Sequence, residues 1–126
     1  QIVSPEASKE ELIKINKLIA GIILTSQGIT FIHAGEEMAR TKVDENGKLV
    51  ENSFDSSDKV NKIYWDRKVK YKDLFEYYKG LISLRKEYKA FRMNTNEEIK
   101  ENFISGHGSN GHDGFGYCSI CSTIIA

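Results

Sequence analysis

Leu24-Thr25-Ser26-Gln27-Gly28-Ile29-Thr30-Phe31-Ile32-His33-Ala34-Gly35-Glu36-Glu37 is the stretch on which the fold of this 126-residue chain turns. Ser26-Gln27-Gly28 stops a helix, with Gly28 free to take the left-handed conformation at C′. Ile29 to His33 is rich in β-branched and aromatic side chains and reads as a short strand. Ala34-Gly35 then allow backbone to approach closely. Glu36 and Glu37 stand at the strand's C-terminal end, where parallel α/β proteins handle ligands. The unit is helix, tight turn, strand.

Upstream, Ser8-Lys9-Glu10-Glu11 is a capping box that opens the helix. Leu12, Ile15, Ile19, Ile22 and Ile23 recur at spacings of three and four, and Ile13, Leu18 and Leu24 widen the stripe. From Leu18 to Leu24 the helix is apolar almost all round, which predicts packing on several sides and a parent larger than this chain. Downstream, residues 40–63 are polar and irregular, with a turn at Asn46-Gly47 and a run from Asn52 to Asp58 whose side chains favour local backbone bonds. A loop this long directly after a buried strand is more often functional than not. The helical period returns from Lys70, with Leu74, Tyr78, Leu81, Ile82 and Arg85 on one side, and predicts a second helix over roughly residues 71–88. Helix, strand, long loop, helix is α/β in class, a slice of a repeating architecture.

Composition narrows the partners. Lys+Arg and Asp+Glu both number 18 and the pI is near 7, which leaves no electrostatic footprint for nucleic acid. No apolar run approaches the ~20 residues of a membrane span, so neither nucleic acid nor membrane is expected. The start has no basic, apolar leader and no initiating Met, and the chain reads as a piece of something longer. Residues 1–93 carry 17 basic and 14 acidic side chains, whereas residues 94–126 carry one basic (Lys100) and four acidic, with five of the ten glycines, both cysteines and two of the three histidines. A boundary therefore falls near Met93. In the tail, His107-x4-His112-x5-Cys118-x2-Cys121 offers four zinc ligands in an order that fits no zinc module, and a Gly-rich, poorly specified segment is the plainer reading. No metal and no cofactor is expected.

Beyond its local pattern, the stretch from Leu24 to Glu37 closely resembles the seventh helix and eighth strand of pullulanase-type debranching enzymes of the α-amylase superfamily. Arg40-Thr41-Lys42, the loop from Asn52 to Asn61, Tyr64-Trp65, Phe75 to Ile82, Leu84-Arg85-Lys86 and Ala90 to Met93 resemble further landmarks of that family in the same order. The resemblance covers about residues 5–93. It implies the C-terminal slice of a (β/α)8 TIM barrel (helix 7, strand 8, long loop, helix 8), followed over residues 94–126 by the start of a C-terminal β domain. Residues 97–104 resemble that start, and beyond Ser105 the match ends. A divergent strand pair, a shift of reading frame and a truncation scar all remain open there.

The activity implied is retaining hydrolysis of α-1,6 branch linkages in pullulan, amylopectin or glycogen dextrins, by two reacting carboxylates ~5 Å apart. The family's catalytic carboxylates follow its fourth, fifth and seventh strands, so none is carried over and the chain alone is expected to be inactive. Asp58 and Asn61 match an Asp-x-x-Asn element that binds sugar hydroxyls, with loop-stabilising turn residues as the alternative. Glu37 is expected to anchor its loop by accepting backbone N–H bonds. Trp65, with Tyr64, reads as a packing anchor, sugar stacking being the alternative. Glu36-Glu37 is set aside as a catalytic pair, because neighbours on a strand point to opposite faces. His33 reads as a packed or hydrogen-bonded core histidine. Ser57 and Tyr64 depart from the family's usual Pro and acid. The partners implied are an α-glucan, met through the full-length parent, and either a second copy of the chain or the remainder of the barrel, because a lone strand and an all-apolar helix need covering. A stand-alone interaction or carbohydrate-binding module is the rival reading, and a small zinc-binding domain a distant third.

Overall fold

The computed structural model describes residues 6–104 and 117–118. Helix α1, Lys9–Thr25, starts where the capping box requires: Glu11 N–H donates to Ser8 Oγ at 3.2 Å, and Ser8 N–H donates to Glu11 Oε2 at 2.8 Å. Three short helices follow: a 3-10 turn at Glu36–Met38, α2 at Asp58–Asn61 and α3 at Arg67–Lys70. The second long helix, α4, is Lys72–Glu87, close to the expected span, and a 3-10 turn at Lys89–Phe91 leads to α5, Asn96–Asn102. Strands β1, Phe103–Ile104, and β2, Tyr117–Cys118, pair antiparallel with Phe103 opposite Cys118. None of the helices among the described residues is long and apolar enough to cross a membrane.

The core is the seam between α1 and α4. Ala20 and Leu24 of α1 bury against Leu74 and Tyr78 of α4, and Ile13, Ile32, Ala39, Tyr71 and Leu81 pack around them. Lys17 pairs with Asp73, Tyr78 Oη donates to Asn16 Oδ1 at 2.8 Å, and Arg85 reaches Leu24. Early residues of one helix thus meet early residues of the other, so the two run parallel. Parallel neighbours in one chain require a return segment. Residues 26–36 make that return, from the end of α1 back to Asn16, whose Nδ2 donates to the Glu36 carbonyl at 3.3 Å. The distance covered is about 14 Å at the helical rise per residue.

Several local expectations change. Residues 29–33 form no strand: among the described residues 29 to 32 make no backbone–backbone hydrogen bond. The cause is the lack of a neighbour, since a strand exists only by its ladder. Its side chains still alternate, with Ile29 and Phe31 exposed, Thr30 and Ile32 half-buried. Gly28 is left-handed (φ 91°), but it lies two residues past the extended C-cap Ser26 rather than one. The 40–63 loop is not structureless, since Val43 bridges Leu49 around a turn in which Gly47 has φ 77°, and α2 lies within it. Residues 96–102 are helical, although residues 97–104 resemble the start of a C-terminal β domain. Thr95 Oγ1 accepts the Glu98 N–H at 3.1 Å and Glu98 Oε2 accepts the Asn94 N–H at 3.3 Å, a cap that holds the chain in helix. Among the described residues nothing covers the outer face of α1: Ile15, Leu18, Ile19 and Ile22 form an exposed stripe at helical spacing, with Leu18 64 % accessible. His107, His112 and Cys121 lie outside the described residues.

The C-terminal end of α1 has no cation of its own in its last turn. Arg85 of α4 supplies one. Its guanidinium donates to the carbonyls of Leu24 at 3.0 Å and Ser26 at 2.6 Å, groups that a helix end leaves without partners, and to that of Gly28 just beyond at 2.6 Å. Arg92 repeats the device on α4, donating to the carbonyls of Arg85 at 3.0 Å and Lys86 at 2.8 Å. Gln27 closes the corner, donating to the Ala90 carbonyl and accepting the Met93 N–H at 3.1 Å.

Arg85→Ala should lower stability by about 1–2 kcal/mol in urea denaturation, because the part-buried Leu24 carbonyl and the exposed carbonyls of Ser26 and Gly28 lose a charged donor; a change under ~0.5 kcal/mol would show the clamp to be idle. The caps predict a pH effect too. The Glu11 carboxyl is held below its ordinary value of 4.5 first by its bond with the Ser8 side chain, then by the Ser8 backbone N–H. Glu98 is held low chiefly by Lys89, then by the Asn94 N–H. A lowered folded-state value means that the caps are intact above pH 4.5 and are lost as pH falls through the lowered values. The amide resonances of Ser8 and Asn94 should therefore move with acid over that window while those of mid-α4 stay still.

Candidate functional site

The turn after the return segment is built by its backbone. Gly35 is left-handed (φ 90°), Glu36–Met38 make a single 3-10 turn, and Ala39 is left-handed as well (φ 52°), an uncommon state for a residue with a Cβ. Bonds from four directions hold this path. Glu36 Oε2 accepts the His33 N–H at 3.1 Å, and Glu37 Oε2 accepts the Gly35 N–H at 3.1 Å. Arg67 of α3 donates to the carbonyls of Met38, at 3.3 Å, and Ala39. Asn16 holds Glu36 from α1, and the Tyr78 hydroxyl behind it is pushed well above its ordinary pKa, first by burial and then by the Glu36 charge, so it stays a donor. Arg40 donates to the Ala34 carbonyl at 3.0 Å from the far side.

Asp58 is the first residue of α2, exposed, with no hydrogen bond or ion pair to its carboxylate among the described residues. Asn61, the last residue of the same turn, has its amide committed: Nδ2 donates to the carbonyls of Ser53 at 2.7 Å and Ser56 at 3.0 Å, and Oδ1 accepts from Ser53 Oγ at 2.9 Å. Both amide protons are used inside the loop. Glu36 and Glu37 lie on the 3-10 turn and not on a strand, so the opposed-face reason for setting them aside does not apply; each carboxylate is instead spent on a nearby backbone N–H. His33 is exposed, not a core residue, because the return segment turns it to solvent beside the Gly35 turn. Trp65 is 69 % exposed and packs into no core among the described residues, so it is not a packing anchor here; Tyr64 lies beside it under Lys62, whose Nζ sits 4.4 Å from the ring centroid.

A cleft of about 1200 Å³ opens between the first half of α1, residues 39–50 and α3. Its walls include Lys9, His33, Arg40, Lys42, Arg67 and Lys70. Asp58, Asn61, Glu37 and Trp65 do not line it, so the expected sugar contacts and this basic cleft are different surfaces. Sequence reasoning missed the bonding of Arg40, Lys42, Ser53 and Arg67. A signal was present: the chain has only four arginines against fourteen lysines, and a guanidinium is the side chain that forks onto two acceptors at once.

No family model matches the sequence. The pullulanase of Bacillus subtilis strain 168 is 45 % identical over 84 residues, which take in 67 % of this chain and 11 % of that protein. Pullulanase A of Streptococcus pneumoniae serotype 4 is 32 % identical over an alignment of 130 residues, 71 % of this chain and 10 % of its own. The structure of the pullulanase from Paenibacillus barengoltzii in complex with maltohexaose and α-cyclodextrin aligns with 83 % of this chain and 16 % of its own, at a TM-score of 0.72 and 42 % identity. These relatives are pullulanases. The chain spans about a tenth of the length of the curated pullulanases that it matches, and its helical frame follows the solved pullulanase fold over most of the described residues.

Gly35→Ala should cost about 2 kcal/mol or more, since a left-handed backbone disfavours a Cβ. That Cβ would also sit 2.8 Å from Arg40 Cδ and 2.9 Å from Arg40 Cβ. Gly47→Ala, equally left-handed (φ 77°) but with open space around it, is the control, and equal losses in thermal melts of the two variants would remove any special place for the Gly35 turn.

Proposed function

We infer that the chain is the C-terminal slice of the (β/α)8 barrel of a pullulanase-type α-1,6-glucosidase: α1 as the seventh helix, residues 29–33 as the eighth strand, residues 40–66 as the loop after it and α4 as the eighth helix. Residues 94–126 lead into a separate C-terminal β domain, through the short helix α5 and the pairing of β1 with β2. The observation that carries this reading is the alignment with the solved pullulanase at a TM-score of 0.72 and 42 % identity. The parallel course of α1 and α4 supports it, because consecutive parallel helices joined by an alternating return segment are the repeat of an α/β barrel. The bare stripe on α1 and the unpaired residues 29–32 are surfaces that the remainder of a barrel would cover.

In this reading the substrate is a branched α-glucan, cleaved with retention by two carboxylates ~5 Å apart. This chain supplies none of the reacting groups. Glu36 and Glu37 each accept a backbone N–H of the Gly35 turn through one carboxylate oxygen, and their role is the structural one of holding that turn. Asp58 is the sugar contact, an exposed carboxylate that accepts from vicinal hydroxyls. Asn61 braces the loop that carries it, Glu37 anchors the turn before it, and the exposed Trp65 offers an aromatic face on which a sugar ring can stack.

The test uses the chain and the enzyme that contains it. The 126-residue chain should release no reducing sugar from pullulan above a heat-killed control, and the enzyme with the preceding barrel strands should; hydrolysis traced to the chain alone would overturn the reading. In that enzyme Asp58→Ala should raise KM roughly 5- to 150-fold, the kinetic equivalent of losing ~1–3 kcal/mol of hydrogen bonding to sugar, with melting unchanged. Unaltered kinetics would return Asp58 to the scaffold.

A further inference from the structure

Asp58 stands on a helix that cannot hold itself. Four residues are too few for a stable helix, and Ser57, at its N-cap, makes no side-chain capping bond. What fixes α2 is its other end. Arg40 Nη2 donates to the carbonyl of Asn61, while Arg40 Nη1 donates to the carbonyl of Ala34 at 3.0 Å. One guanidinium thus bridges the Gly35 turn and the end of α2. Arg40 can lie across that turn only because residue 35 has no Cβ.

The other end of the loop is gripped by a neighbour of Arg40. Lys42 Nζ donates to Ser53 Oγ at 2.6 Å, and Ser53, 6 % exposed, passes the chain on to Asn61 Oδ1 at 2.9 Å. Residues 53 and 61 are therefore both tied to the short segment that leaves the turn. The Asp58 carboxylate projects from this closed network without a bond of its own. Arg40 Nε is buried with no partner among the described residues, an uncommon cost for a donor, and it is accepted where the two terminal nitrogens are aimed at two fixed carbonyls.

We propose that Arg40 is a positioning residue for Asp58, orienting the sugar-binding carboxylate through the Asn61 carbonyl, with Lys42 and Ser53 holding the start of the same loop. The proposal rests on the reading of Asp58 as a sugar contact. It requires a fork and not merely a charge: an ammonium at position 40 reaches one carbonyl and leaves the other free.

The experiment is a double-mutant cycle in the intact pullulanase-type enzyme, with steady-state kinetics on pullulan and thermal melting of every variant. Arg40→Lys should raise KM about 5- to 20-fold with kcat within about twofold, and in the Asp58→Ala background the same change should raise KM less than about twofold further. That non-additivity is what a residue acting through Asp58 produces, and a general loss of stability does not. Equal effects in the two backgrounds, or a loss confined to kcat, would overturn the proposal while leaving the role of Asp58 standing. An Asp58→Ala enzyme with unchanged KM would remove the underlying reading, and the proposal with it. If Arg40→Lys fails to fold, Ser53→Ala loosens the opposite end of the loop and takes its place in the same cycle, with the same criterion.

Discussion

The joint between the C-terminal ends of α1 and α4 is the constraint on which the rest of the described structure depends. Leu24 is buried there in one cluster with Tyr78, and Arg85 bonds the carbonyls of Leu24 and Ser26 at the end of α1 and that of Gly28 just past it. Burial, with the nearby Arg92 charge second, lowers the proton affinity of this guanidinium, yet a guanidinium remains charged at any ordinary pH. The joint fixes where α1 stops, and so where the return segment starts. Since α1 and α4 run parallel, the chain must come back along α1 before it can enter α4, and the Gly35 turn forms at the point of return. A fault at Arg85 would therefore be felt at a turn it does not touch.

The same device recurs at each place where irregular backbone is held. All four arginines donate to backbone carbonyls: Arg40 to Ala34 and Asn61, Arg67 to Met38 and Ala39, Arg85 to the end of α1, Arg92 to the end of α4. Apart from Lys42, which grips the Ser53 hydroxyl, most of the bonded lysines lie at the surface in pairs such as Lys14–Glu10 and Lys79–Glu76 or over aromatic rings, as Lys68 does over Phe75. Exposed pairs of that kind add little to stability. A planar fork satisfies two carbonyls from one anchored stem, which suits loops whose acceptors have no ladder to join. Without strands to organise it, the segment from residue 33 to residue 71 is ordered by side chains reaching backbone.

That division sets what could be read in advance. Both long helices were legible, because Ser8-x-x-Glu11 and the spacing of Leu74, Tyr78, Leu81 and Arg85 are local signals that survive any context. The strand at residues 29–33 was legible only as a tendency: its alternation is present, but a ladder needs a second strand, and that is a property of neighbours. Residues 96–102 are helical because Thr95-x-x-Glu98 caps them, a local signal that a resemblance to the start of a β domain does not carry. Asp58 and Asn61 could be picked out as a pair, and their difference could not. An exposed carboxylate and a fully bonded amide look alike in sequence, and only the positions of Ser53, Ser56 and Arg40 separate them.

Site geometry and stability have different sources in this segment. The loop that carries Asp58 is closed on itself by bonds whose donors and acceptors lie between residues 34 and 61, and it meets the frame where Asn16 and Arg67 hold residues 36–39. The frame beneath it is another matter: α1 buries one face against α4 and leaves Ile15, Leu18, Ile19 and Ile22 in water, with Phe31 84 % exposed nearby in sequence. Exposed apolar surface of this extent opposes folding of the segment alone, since burial is the main favourable term. Under the proposed reading the two halves of the problem are divided between this chain and its surroundings. The chain encodes how the sugar contact is held, and the remainder of the barrel supplies the burial that keeps α1, and with it the Gly35 turn and Arg40, in place.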